Sequence, residues 1–295
     1  MTLKPNSEWY LKSFVPGTFP GNVTVHIPSA PNAAMASNIP CRRANFRNTW
    51  LSNPVGFFYN STWRSPSCFN DITVKDFDRC LANRTLRMFG DSTVRQLFTF
   101  LFKYQNLTWA IGPKEAHNNI IPTSKWYSYS EAYNKRFNYT VFWAPHGLPM
   151  SFENANRTAI RPCFVHLDEI PSGSRDIVLI HLYAHFQLFP LHVFKARMKH
   201  IRLATERLLI RAPDIKIAIK GPHYFIKHST GNTLGGLWGP VYDKIIRQEF
   251  VSLYARVIYL DVWDMHVTDE NSDIHPSEEL LKTMLRTLFG YVCSK

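Results

Sequence analysis

Two rhythms of apolar and polar positions run through the chain. Leu86 to Phe89 is a continuous apolar run, broken by Gly90-Asp91-Ser92, after which apolar residues recur at Val94, Leu97, Phe98 and Leu101. The run predicts a buried strand and the recurrence one face of a helix. Thr140 to Phe142, Asp176 to Leu182, Ile215 to Ile219 and Val257 to Leu260 repeat the strand pattern, and the unbroken Ile177 to Ile180 suits a strand covered on both faces. Phe194, Met198, Ile201, Ala204 and Leu208 mark a long amphipathic helix whose other side carries Lys195, Arg197, Lys199, Arg202 and Arg207. A further helix is predicted over Val241 to Tyr254. Leu280, Leu281, Met284, Leu285 and Leu288 mark a closing helix, with Glu278 and Glu279 in its first turn and Gly290 near its end. Strands alternating with helices of this length predict an α/β chain with a doubly wound parallel sheet.

The N-terminal part lacks these rhythms. Met1 to Pro40 is rich in Pro, Asn, Ser and Gly, alternates only at Val23 to Ile27, and is expected to be an irregular lead-in. Arg42 to Phe69 carries Trp50, Phe57, Phe58, Tyr59 and Trp63 among turn formers, and is expected to cover the sheet. The organisation expected is a lead-in over 1–40 and one domain over 41–295.

Candidate chemistry gathers at the break after Phe89. A serine at a strand-to-helix turn has a glycine for a tight backbone path and first-turn N–H groups that can face a developing negative charge. Asp91 or Ser92 before an apolar run is also the ordinary signature of a helix N-cap. A partner for Ser92 occurs near the C-terminus. Asp261-Val-Trp-Asp264-Met closes the last apolar run, and Asn271-Ser-Asp273-Ile-His275-Pro276 follows on a short loop. A serine after an early strand and an Asp/His pair after the last one is the order expected of a triad built across a parallel sheet.

These stretches resemble a known family. FGDSTVRQ, the LDVWDM run, the DIHP loop and the middle segment from His185 to Asp214 are similar to the PC-esterase region of the neurexophilin and PC-esterase domain (NXPE) family, within the GDSL/SGNH hydrolases. Cys41, Cys68, Cys80, Cys163 and Cys293 fall where that family's cysteines lie. The resemblance implies an SGNH-like three-layer fold with a cysteine-containing cover, and carbohydrate O-acetyl esterase or O-acetyltransferase activity through Ser92 and His275. No cofactor is implied.

Charge and cysteine usage refine this picture. A formal charge of +12 points to an anionic partner. The basic residues are scattered and no nucleic-acid readout motif occurs, so the expected partner is a sialylated or sulfated glycan or glycoprotein, with an acetyl donor, rather than nucleic acid. Sequons at Asn22, Asn60, Asn83, Asn106, Asn138 and Asn156 exceed the roughly two or three that composition would give by chance. Together with bridges expected among the cysteines, they predict a secreted or Golgi/ER-lumenal protein. The chain has neither an apolar leader nor a membrane-spanning run. With an odd cysteine count, this suggests an incomplete chain.

The loop after Ile180 reads His181-Leu-Tyr-Ala-His185, where SGNH relatives commonly offer an asparagine as oxyanion donor. An imidazole N–H can serve this role, so His181 and His185 are candidates. The same pair would lie about 13 Å apart in an extended strand, too far for one ion, and no metal site is expected. The SGNH pattern places Asp three residues before the histidine, where Ser272 stands. Asp264, in the family-like block, is the favoured third member, with Asp273 and a Ser–His dyad as alternatives. Arg95, one turn into the helix, is a candidate for holding an acidic sugar. The competing expectation is a secreted binding module that keeps the fold and has lost turnover.

Overall fold

The computed structural model describes residues 37–111, 129–149, 160–226 and 238–293. Most of the expected lead-in, including Val23 to Ile27, and the sequons at Asn22 and Asn156 lie outside the described residues. The cover consists of α1 (Arg47–Leu51), a hairpin of β1 (Phe57–Tyr59) and β2 (Thr62–Arg64), and α2 (Phe77–Leu81). The sheet domain then runs β3 (Thr85–Gly90), α3 (Ser92–Tyr104), β4 (Thr108–Ile111), β5 (Ser130–Asn134), β6 (Tyr139–Pro145), α4 (Cys163–Glu169), β7 (Ile177–Ile180), α5 (Leu191–Arg211), β8 (Lys216–Lys220), α6 (Gly239–Phe250), β9 (Val257–Leu260), α7 (Trp263–Thr268) and α8 (Glu278–Val292).

The seven strands β3 to β9 form one sheet in the order β4-β5-β6-β3-β7-β8-β9. β6, β3, β7, β8 and β9 are mutually parallel, as predicted, while β5 and β4 extend one edge antiparallel. From β3 the chain first builds one side of the sheet and then the other. β3 is therefore the switch point, and its carboxyl end opens into the crevice where ligands bind in such sheets.

Alternation along each strand divides the core into two layers. Leu86, Met88, Val141, Ile177, Leu179 and Ile258 face α3 and α8. Phe89, Val178, Ile180, Ile217, Ile219 and Val257 face α4, α5 and α6. The cover contributes to both layers: Trp63 packs in the first, and Trp50 in the second. The Trp50 indole stacks on Tyr254 and Tyr259 and donates to the Val257 carbonyl at 2.7 Å. Phe57 and Tyr59 remain exposed.

Two disulfides join Cys41 to Cys68 and Cys80 to Cys293, and Cys163 is a buried free thiol. The second bridge pins α2 to the end of α8, 213 residues away. Such bonds belong to an oxidising, non-cytosolic environment. No helix among the described residues is long and apolar enough to cross a membrane. The four described sequon asparagines, Asn60, Asn83, Asn106 and Asn138, are exposed and have positive φ, each in a turn leading into a strand. Asparagine tolerates that backbone better than most residues.

One helix boundary differs from expectation. α6 starts earlier because Pro240 suits a first helical turn, and it gives way to a single 3₁₀ turn, Val251–Leu253. Gly290 lies near the end of α8, as expected, and the helix runs to Val292. A Cβ there would lie 2.5 Å from the Asn70 side chain, so the glycine admits a close neighbour.

Candidate functional site

β3 delivers Ser92 to the carboxyl rim of the sheet, and the turn around it is built by sterics and capping. A Cβ on Gly90 would come within 2.4 Å of Val94 Cγ2 and 3.1 Å of the His181 carbonyl oxygen, so only glycine lets α3 leave the strand this tightly. Asp91 is the N-cap. Its Oδ1 accepts from the Thr93 N–H at 2.9 Å and from the Thr93 hydroxyl at 2.7 Å. Ser92 is thus the first residue of the helix, and its N–H belongs to the first-turn donors that have no intrahelical partner.

β9 lies three strands from β3, roughly 14 Å across the sheet, yet the chain after it returns His275 to Ser92. α8 packs beside α3 on the same face, and Glu278 at its start meets Lys103 at 2.6 Å and the Tyr104 hydroxyl at 2.7 Å. Just before α8, His275 Nε2 stands 2.8 Å from Ser92 Oγ. With the proton on Nδ1, Nε2 accepts the serine hydroxyl.

Asp273 supports this histidine. Its Oδ1 accepts the His275 backbone N–H at 2.8 Å and lies 3.7 Å from Nδ1, beyond hydrogen-bond length. The side chains of His275 and Asp273 are 45% and 55% exposed, so both face solvent. Asp264, the favoured third member from sequence, is elsewhere. Its carboxylate accepts from the Val55 N–H at 3.3 Å and lines a cleft of about 340 Å³ with Trp50, Arg247, Asp261 and Trp263. The cover loop claims Asp264, and Asp273 is the carboxylate near His275.

The loop after β7 also departs from expectation. The His181 ring is wholly buried, its Nδ1 3.0 Å from the Lys220 carbonyl. A carbonyl only accepts, so Nδ1 carries the proton and the neutral ring has no second N–H for an oxyanion. His185 packs against His146 at 5.2 Å between ring centroids. Arg95 is half-buried one turn into α3, over the Trp143 ring at 5.9 Å, and burial lowers its pKa. The Ser92 N–H, in the first turn of α3, is a local donor beside the hydroxyl.

Sequence reasoning missed a buried polar group beneath this rim. Asp91, His146, His181, Lys220, His223 and His266 are almost wholly inaccessible. Burial pushes His146 and His266 down to about 3 and His181 down to about 4, with Lys220 adding to the effect on His181 and His266, so all three rings are neutral near pH 7. His223 is lowered in the same way, by burial and then by Lys220. Burial lowers Lys220 to about 8 against the opposing pull of Asp91. For Asp91, burial works against ionisation. The fields of His181, His185 and Lys220, with the Thr93 hydrogen bond, outweigh that and hold its carboxyl well below the usual range. The available signal was Lys220 itself, a charged residue closing an apolar strand and followed by Gly-Pro-His. Among the described residues, no group of three or more His, Cys, Asp or Glu side chains is arranged to hold a metal ion.

The profile described as NXPE family member 4-like, C-terminal domain, matches residues 63–293. Among solved structures, one crystal structure aligns at 15% identity over 73% of this chain and 100% of that chain, with a TM-score of 0.39. An active-site mutant of a family two carbohydrate esterase from Clostridium thermocellum, in complex with cellohexaose, aligns at 14% identity over 70% of this chain and 62% of that chain, with a TM-score of 0.35.

Proposed function

The chain belongs to the NXPE family through its C-terminal domain, and from that premise we propose that it is a serine-dependent O-acyl esterase or O-acyltransferase acting on O-acetylated glycans. The observation that carries this reading is the 2.8 Å approach of Ser92 Oγ to His275 Nε2. Ser92 Oγ attacks the acetyl carbonyl while Nε2 takes its proton, and the carbonyl electron pair moves onto oxygen. The first-turn N–H of Ser92 faces that oxyanion, a contribution of about 3 to 4 kcal/mol for a well-aimed donor. Collapse expels the sugar alkoxide, which takes the proton back from Nε2 and leaves acetyl-Ser92. Water or a second sugar hydroxyl then repeats the steps in reverse order. The exposure of His275 and Asp273 leaves the acetyl-enzyme open to water, so hydrolysis is the primary outcome and transfer the secondary one.

The charge of +12 supports an anionic glycan as the carrier of the acetyl group, and the disulfides support an oxidising lumen or extracellular space as the place of action. Ser92, His275 and Asp273 are the residues assigned to the reaction, with Arg95 as the contact for an acidic sugar. A second reading, a binding module without turnover, is favoured by one observation: the His181 N–H is committed to Lys220, which leaves few donors for an oxyanion. Incubating the glycosylated protein with O-acetylated sialoglycans separates the two. Acetate release by the wild type and none by Ser92→Ala is expected. Equal background release from both would overturn the enzymatic reading.

A further inference from the structure

Lys220 ends β8 wholly buried, with no substrate-facing role in the reaction above. Its ammonium lies 3.4 Å from His181 Nε2 and 3.4 Å from His223 Nδ1. The tautomers of both rings follow from their other nitrogens. His181 Nδ1 donates to the Lys220 carbonyl at 3.0 Å, and His223 Nε2 donates to the Ile274 carbonyl at 2.8 Å, because a carbonyl has no proton to give. Each ring therefore presents a lone pair to Lys220 Nζ, and the lysine is the donor to both.

The two ends of this chain of contacts flank the reacting pair. Ile274 immediately precedes His275. On the other side, His181 Nε2 lies 3.6 Å from Oδ2 of Asp91, the residue immediately before Ser92. Thr93 donates to Asp91 Oδ1 only; Oδ2 has no hydrogen-bond partner, and the buried Lys220 is among the groups whose charge favours the ionised carboxylate. The His275 loop is otherwise tied down by Asn271, whose Nδ2 donates to the Tyr224 and Asp273 carbonyls at 2.8 and 2.7 Å.

We propose that Lys220 and His223 form a buried positioning relay that holds the His275 loop at its working distance from Ser92. The relay rests on the acyl-transfer reading for its purpose, but its structural content stands apart from it. Lys220 orients the His223 ring, the ring fixes the Ile274 carbonyl, and the carbonyl fixes the backbone that carries His275. Lys220 and His223 are positioning residues, since neither is assigned a contact with substrate.

The test compares His223→Gln, which keeps an N–H donor in the region of Nε2, with His223→Leu, which fills similar space without one. Two readouts are taken on the full, glycosylated chain: hydrogen exchange of residues 271–276, and the rate at which a fluorophosphonate probe labels Ser92. The relay predicts that His223→Leu exchanges at least tenfold faster over 271–276 and labels at least tenfold more slowly, while His223→Gln stays within about threefold of the wild type in both. Lys220→Met is expected to behave like His223→Leu. Because it strands the Asp91 charge and can fail to fold, the His223 pair carries the decision. Unchanged exchange in folded His223→Leu, or equal loss in the Gln and Leu variants, would overturn the relay. A wild type that the probe does not label counts against the acyl-transfer reading, and the exchange comparison still decides the relay.

Discussion

Acidification tests the buried imidazoles directly. His146, His181 and His266 are neutral in the fold, with pKa values lowered mainly by burial to about 3, 4 and 3. In the unfolded chain each titrates near 6.5. Between these limits the unfolded chain binds more protons than the folded one, so stability is full above pH 6.5 and declines as pH falls toward the folded values. At pH 5 the unfolded imidazoles are about 1.5 pH units below their own pKa, and each costs the fold about 2 kcal/mol. The three together remove about 6 kcal/mol, a large share of the 5–15 kcal/mol that a domain usually has. His223 acts in the same direction. Below about pH 4, Asp91 adds to the loss, because its folded carboxyl resists protonation that the unfolded carboxyl accepts. Lys220, lowered to about 8, changes nothing in this window. Urea titrations followed by tryptophan fluorescence at pH 7.5, 6 and 5 should give a midpoint that falls steadily, with the protein close to unfolding at pH 5. Coincident midpoints at pH 7.5 and pH 5 would mean that these rings are not buried and neutral.

Two further pairs of substitutions test the geometry of the site. Asp273→Asn should slow labelling of Ser92 about tenfold, because it removes the charge 3.7 Å from His275 Nδ1, while Asp264→Asn should leave the rate within twofold. The opposite ranking, read from probe kinetics, would restore Asp264 as the partner. Gly90→Ala should cost about 1–3 kcal/mol in urea unfolding because the new methyl meets Val94 Cγ2, and Val94→Ala in the same chain should recover part of it. Simple additivity of the two losses would show that Gly90 is not set by this contact.

The parallel strands and the long helices were legible in the sequence because each is buried along a face and so carries an unbroken or 3.6-residue apolar pattern. The NXPE resemblance, read from FGDSTVRQ, LDVWDM and DIHP, agrees with the match over residues 63–293. The antiparallel edge was not legible. β4 is half-buried or exposed along its whole length, and Ser130–Asn134 buries Ser130, Ala132 and Asn134, two of them polar, so no hydrophobic alternation marks it. Asp264 and Asp273 were separable only in three dimensions. Both follow the last strand, which ends at Leu260, and the cover segment draws Asp264 to Val55. His181 and His223 are polar residues just past strand ends and His266 lies in the short helix α7, positions that usually face water. Here the fold buries them with Lys220, a tertiary effect with no local signature.

The central claim is that Ser92 is a nucleophile activated by His275. Its most direct test is mass spectrometry of the intact, glycosylated chain after exposure to a fluorophosphonate probe, alongside Ser92→Ala and His275→Ala. The account predicts one adduct, on Ser92, in the wild type, none in Ser92→Ala, and labelling slowed at least a hundredfold in His275→Ala. An unmodified wild type that is folded, or a wild type labelled as fast as His275→Ala, would contradict it.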